Sequence, residues 1–111
     1  MIASVYINRL RSAMKLDADP TVQYALGFNA VQHTWWTNPL GFADLQVVSP
    51  FNTYTNDGLP PAPIANPGST ALQAVANPAD SPYFYFSARC DGSGYHAFAQ
   101  TFEEHLQNLC P

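Results

Sequence analysis

Residues 83–99, Tyr83-Phe84-Tyr85-Phe86-Ser87-Ala88-Arg89-Cys90-Asp91-Gly92-Ser93-Gly94-Tyr95-His96-Ala97-Phe98-Ala99, decide the fold class. Four consecutive aromatic residues, Tyr83 to Phe86, favour an extended backbone, where broad rings pack on a pleated face. Asp91-Gly92-Ser93-Gly94 is turn chemistry, because glycine takes positive φ at little cost and Asp and Ser bond the local backbone. Tyr95 to Ala99 then reads as a returning strand, so the stretch predicts a β-hairpin.

The same reasoning extends in both directions. Downstream, Thr101 with Glu104 three residues later forms a capping-box pattern and predicts a last helix that turns Phe102, Leu106 and Leu109 inward. Upstream, Asn66-Pro67-Gly68 opens a helix carrying Ala71, Leu72, Val75 and Ala76, and Asn77-Pro78 closes it. Between Phe28 and Ala65 the text is rich in Pro, Asn, Thr and aromatic residues, including adjacent Trp35 and Trp36. It predicts one long ordered loop region, of a length that usually carries function. Asp19 is placed to cap a helix over 20–26, with Pro20 in the first turn and Gly27 just past the end. Residues 2–15 form an amphipathic series through Ile2, Val5, Tyr6, Leu10 and Met14. The plan is α+β: short helices packed with an antiparallel hairpin or small sheet, in a single domain over 1–111. Met1 leads into the first apolar series with no cap or leader before it, so the chain is expected to be truncated at its N-terminus.

Composition narrows the function. The 111 residues are 47% hydrophobic and carry a formal charge of −4, enough for a compact core. The four cations, Arg9, Arg11, Lys15 and Arg89, form no stripe that could neutralise a phosphate backbone, so nucleic acid is not an expected partner. Charged residues make up only 11%, which suits neutral, hydroxyl-rich ligands. No apolar run approaches the roughly 18 residues that span a bilayer. Cys90 and Cys110 lack metal or redox spacing. Two readings stay open for them: a disulfide stabilising by on the order of 3 kcal/mol in an oxidising compartment, or two buried thiols.

No G-x-S-x-G elbow, phosphate-binding Gly-rich loop or H-E-x-x-H motif is present, and His33, His96 and His105 have no metal-ligand spacing. Neither a metal nor a cofactor is expected. Glycosidic chemistry needs a carboxylic acid held in apolar surroundings. Asp19, Asp91, Glu103 and Glu104 are accounted for by helix starts and the hairpin turn, while Asp17, Asp44, Asp57 and Asp80 lie in loops or turns. None has an apolar setting.

Four blocks carry a family resemblance. They are Ala3-Ser4-Val5-Tyr6-Ile7-Asn8-Arg9-Leu10 with Asp19-Pro20-Thr21-Val22; Ser49-Pro50-Phe51-Asn52-Thr53-Tyr54; Gly58-Leu59-Pro60-Pro61 through Gly68; and Asn77-Pro78-Ala79 through Gly94-Tyr95-His96-Ala97-Phe98. In order and spacing they resemble the YceG-like (MltG) family of endolytic murein transglycosylases, in the C-terminal part of its catalytic domain. The resemblance implies a lyase acting on peptidoglycan glycan strands. A single Glu protonates the oxygen between N-acetylmuramic acid and N-acetylglucosamine and helps the muramic 6-hydroxyl attack its own anomeric carbon, giving a 1,6-anhydro end. That Glu is expected upstream of Met1, so residues 1–111 alone are expected to be inactive. The protein is expected on the extracytoplasmic face, in the periplasm or at the cell wall, anchored by an upstream transmembrane helix and working with cell wall synthesis proteins. Substrate contacts are expected from Asn52, Thr53 and Tyr54 before the rigid Gly-Leu-Pro-Pro turn, against a packed turn whose polar groups bond the local backbone; from Asp19, Thr21 and Tyr24, against a helix cap and its first turns; and from His96. Asp17 and Ala62 depart from the family's usual Gln and Gly. Residues 28–48 match poorly and read as a lineage-specific loop whose Trp35 and Trp36 either stack on sugar rings or anchor packing. Two other functions compete: a non-catalytic glycan-binding module, and an aminodeoxychorismate lyase-like activity whose Schiff-base lysine could only be Lys15.

Overall fold

The computed structural model describes residues 1–111. The element order is α1 (Ile2–Arg11), α2 (Asp19–Leu26), a 3₁₀ turn at Asp44–Gln46, α3 (Ser69–Ala76), β1 (Tyr85–Ala88), β2 (His96–Ala99) and α4 (Phe102–Asn108). Four short helices and a two-stranded antiparallel sheet make the fold α+β. The chain divides into two compact units, one formed by Met1–Ser12 with Pro67–Pro111 and the other by Ala13–Asn66.

The first unit is built on the hairpin. Tyr85 faces Ala99, Phe86 faces Phe98, Ser87 faces Ala97 and Ala88 faces His96. The turn is closed as its residues dictate: Asp91 accepts from the Ser93 amide at 2.9 Å, and Gly92 and Gly94 take φ of 72° and 81°. Those Ser93 hydrogen bonds favour the ionised carboxylate and lower the pKa of Asp91. The first strand starts later than the aromatic run. Tyr83 precedes it because its carbonyl is taken by the Asn8 amide at 2.9 Å, and Phe84, though its amide reaches Ala99, gives its carbonyl to Arg9 Nε at 2.7 Å.

That exchange explains α1. Its buried face is Ser4, Val5 and Arg9, while Leu10 is exposed. Ser4 meets the Ser81 hydroxyl at 2.7 Å and Asn8 also donates to the Ser81 carbonyl, so polar side chains of the helix stand in for a missing strand neighbour along 81–84. The Arg9 guanidinium lies 4.8 Å from the Tyr85 ring centroid, which lets a buried cation trade water for a π face. The helix stops at Arg11, short of the expected residue 15, because Ala13 takes φ 56°.

Helix α4 starts where its cap predicts: Thr101 Oγ1 accepts from the Glu104 amide at 3.2 Å, and Glu104 reaches back to the Gln100 amide. Its inward side differs from expectation. Phe102, Leu106 and Leu109 all remain substantially exposed, and His105 stacks on Tyr85 with centroids 5.3 Å apart. Phe102 still meets the Tyr85 ring, with centroids 5.9 Å apart, and His105 takes the more covered position beside it. Burial of His105 lowers its pKa, with the Arg9 charge adding to the effect. Cys90 and Cys110 are joined, their Cα atoms 5.4 Å apart, which pins the end of α4 to the hairpin. No helix is long and apolar enough to cross a membrane.

In the second unit the core is Leu16 and Val22 together with buried polar side chains, Thr21, Asn52 and Thr53. Helix α2 forms over Asp19–Leu26 with Pro20 in its first turn and Gly27 at φ 74° after its end, as its sequence predicts. The cap does not follow: Ala18 occupies the N-cap position and Asp19 makes no capping bond.

Candidate functional site

The turn at 49–56 is organised by one side chain. Asn52 is fully buried and donates through Nδ2 to the carbonyls of Leu45 and Val47 at 3.0 and 2.9 Å, while its Oδ1 accepts from the Tyr54 amide at 2.9 Å. Asn56 closes the same turn by donating to the Ser49 and Asn52 carbonyls. The amide of Asn52 therefore has both donors and its acceptor engaged within the chain.

A second network ties this turn to α2. Thr21 Oγ1 lies 2.6 Å from the Ala18 carbonyl, which can only accept, so the Thr21 hydroxyl proton points there. Thr53 must then donate to Thr21 across their 2.8 Å contact, and its own oxygen accepts from the Ala18 amide at 2.9 Å. The Ala18 amide, which a capping Asp19 side chain would not have reached, is satisfied by Thr53 from 35 residues away. Thr21 also accepts from the Thr53 amide, and both side chains are buried.

These buried bonds hold three side chains at the surface. The Tyr54 hydroxyl donates to Asp19 Oδ1. Tyr24, 44% exposed, packs against Phe51 with centroids 4.9 Å apart. Asp19 and Tyr54 thus present a carboxylate and a phenol together, and Tyr24 presents an aromatic face beside Phe51 in the same unit. This set can hydrogen-bond hydroxyl and amide groups and stack on an apolar ring face. Six of the seven residues singled out from sequence belong to this one unit. Thr21, Asn52 and Thr53 lie inside it and the other three outside.

His96 belongs to the other unit. It packs edge-on against Phe86 at 5.7 Å and lines an open hollow of about 490 Å³ with Met1, Ile2, Arg89, Tyr95 and Phe98. Arg89, whose guanidinium sits 5.9 Å from the Tyr95 ring, escaped the sequence reading because nothing in a hairpin pattern marks one flanking cation for such a hollow. None of the carboxylates in the chain is buried: Asp44 is half-buried and the rest are exposed. No three His, Cys, Asp or Glu side chains are grouped closely enough to hold a metal ion.

The chain is similar to known proteins over nearly its whole length. The profile of the YceG-like family matches residues 1–110. An endolytic murein transglycosylase of Bacillus subtilis (strain 168) is 42% identical over 104 residues, covering 94% of this chain and 26% of that protein. One from Streptococcus pneumoniae serotype 2 (strain D39) is 33% identical over 110 residues, covering 98% of this chain and 19% of that protein. The crystal structure of a YceG-like protein from Listeria monocytogenes is 45% identical and superposes with a TM-score of 0.84, over 96% of this chain and 32% of that one. The chain thus spans about a quarter of the length of the Bacillus relative.

Proposed function

The chain belongs to the YceG-like family, and from that premise we propose that it is the C-terminal part of the catalytic domain of a peptidoglycan lytic transglycosylase. The reaction cleaves the bond between N-acetylmuramic acid and N-acetylglucosamine, with the muramic 6-hydroxyl closing on its own anomeric carbon to leave a 1,6-anhydro end. The observation that carries this reading is the 42% identity to a protein named endolytic murein transglycosylase, over 94% of this chain. The Asp19–Tyr54–Tyr24 surface fits the proposal, because its hydroxyl, carboxylate and ring suit an N-acetylated sugar. Asn52, Thr53 and Thr21 act through it by fixing its position. His96 serves a separate contact through the hollow it lines.

The general acid comes from outside these 111 residues. An acid that protonates a leaving oxygen at neutral pH needs a dehydrated carboxyl, and every carboxylate here has water access. The site of action is extracytoplasmic, reached by a membrane anchor elsewhere in the protein, and the Cys90–Cys110 bridge supports an oxidising compartment. The lyase-like alternative gains no support from Lys15, which is exposed and paired with Asp57 at 3.3 Å.

The test is product analysis of purified peptidoglycan treated with the full-length protein. Release of 1,6-anhydro-ended fragments is expected, and Tyr54→Phe should slow it by roughly tenfold, the loss of one positioned hydrogen bond, with little change in melting temperature. Binding without any anhydro product would instead identify a glycan-binding module and sink the proposal.

A further inference from the structure

The loop between α2 and the 3₁₀ turn carries aromatic side chains that the proposed site does not use. Phe28, Trp35 and Trp36 are 50%, 64% and 45% exposed, and Phe28 meets Trp35 edge to face with centroids 5.2 Å apart. Exposed indoles are costly in water and are normally covered or used. A disordered loop would let them collapse onto the surface, but this loop is tightly bonded. Asn29 and Thr34 exchange both backbone hydrogen bonds, at 2.7 and 3.2 Å, and the Asn29 side chain accepts from the Val31 and Gln32 amides within the turn. The Gln32 side chain grips both the amide and the carbonyl of Asn38, and Gln23 on α2 donates to the Thr37 carbonyl. The rings are therefore presented by a frame that is already ordered, which removes much of the entropy cost of binding.

Charge identifies what such a platform would take. Between Asp19 and Asp44 there is no Asp, Glu, Lys or Arg, and exposed Gln32 and Asn38 add amide groups to the same loop. An anionic lipid surface or a nucleic acid needs cations that this stretch lacks. A pyranose ring, with an apolar C–H face and hydroxyl and acetamido groups around its edge, meets both properties. We propose that Phe28, Trp35 and Trp36 form a stacking site for an N-acetylated amino-sugar strand, a second contact with the glycan apart from the Asp19–Tyr54–Tyr24 surface. The inference rests on the glycan-directed reading of the protein and adds a second place where the strand is held.

The experiment uses the full-length protein, its Trp35→Ala/Trp36→Ala double variant and Trp35→Phe. The probes are N-acetylglucosamine hexasaccharide, purified peptidoglycan, and vesicles of phosphatidylethanolamine and phosphatidylglycerol. The double variant should bind hexasaccharide about tenfold more weakly, Trp35→Phe should retain most of the affinity, and acrylamide quenching of the wild-type tryptophan emission should be reduced by the hexasaccharide. Unchanged hexasaccharide affinity in the double variant overturns the inference, as does loss of vesicle binding in its place. So does a large fall in melting temperature with unchanged glycan binding, which would mean that the rest of the protein covers these rings. Formation of 1,6-anhydro ends by the wild type is scored separately, so failure of the stacking site and failure of the catalytic reading give different results.

Discussion

Asn52→Ala should unfold the turn that carries Tyr54. The side chain is fully buried and makes three hydrogen bonds, two to carbonyls and one from an amide. At about 1 kcal/mol for each partner left without its bond, the loss is about 3 kcal/mol, a large share of the 5–15 kcal/mol that typically holds a domain together. The melting temperature should fall by roughly 10–20 °C. Asn52→Asp sharpens the test, since it keeps the shape and the acceptor for Tyr54 but replaces Nδ2, which carries both donors, with one oxygen facing the Leu45 and Val47 carbonyls. It should be at least as damaging as alanine at neutral pH. Part of the loss should return in acid, because protonation gives the introduced carboxyl one donor back. Urea unfolding followed by circular dichroism measures both variants, and amide exchange at Tyr54 reports the turn directly. If Asn52→Asp costs under about 0.5 kcal/mol, within the range of ordinary surface changes, while glycan binding collapses, Asn52 contacts ligand and the framework argument is wrong.

Two further outcomes follow from the other unit. Reducing the Cys90–Cys110 bridge, which closes a separation of 20 residues, should lower stability by about 3 kcal/mol. Cys90→Ser/Cys110→Ser should match the reduced protein in a thermal melt, and a bridge-free mass in non-reduced protein would contradict the pairing. Stability should also fall in mild acid through His105. Its folded pKa is lowered from the ordinary value of 6.5 by burial and by Arg9, so its contribution is whole above that value and is lost as pH falls from there through the lowered folded value. Asp91 acts in the same direction in a separate window, below its ordinary 3.8. Urea midpoints from pH 7.5 to 5 should decline in wild type and less in His105→Phe, which keeps a ring on Tyr85; equal slopes would exclude His105 as the cause.

Local chemistry made much of the fold legible in the sequence. The hairpin follows from an aromatic run and an Asp-Gly-Ser-Gly turn, the start of α4 from Thr101 and Glu104, and the limits of α2 from Pro20 and Gly27. Each depends on residues within a few positions of one another, so a linear text contains the whole cause. The sequence leaves open whether Asn52, Thr53 and Tyr54 meet a ligand or bond the local backbone, and only the fold buries Thr21, Asn52 and Thr53 while leaving Asp19 and Tyr24 exposed.

Tertiary structure alone decided the long-range exchanges. Asp19 looks like a cap, yet Ala18 holds that position and the Asp19 carboxylate receives Tyr54 instead. Arg9 looks like a surface cation at the end of an amphipathic helix, yet the Phe84 carbonyl and the Tyr85 ring draw it inside. His105, not Leu106, stacks on the sheet through the Tyr85 ring. In each case the deciding partner is distant in sequence. A buried polar group such as the Arg9 guanidinium needs a hydrogen bond, and its own sequence states the need without saying which distant atom will meet it.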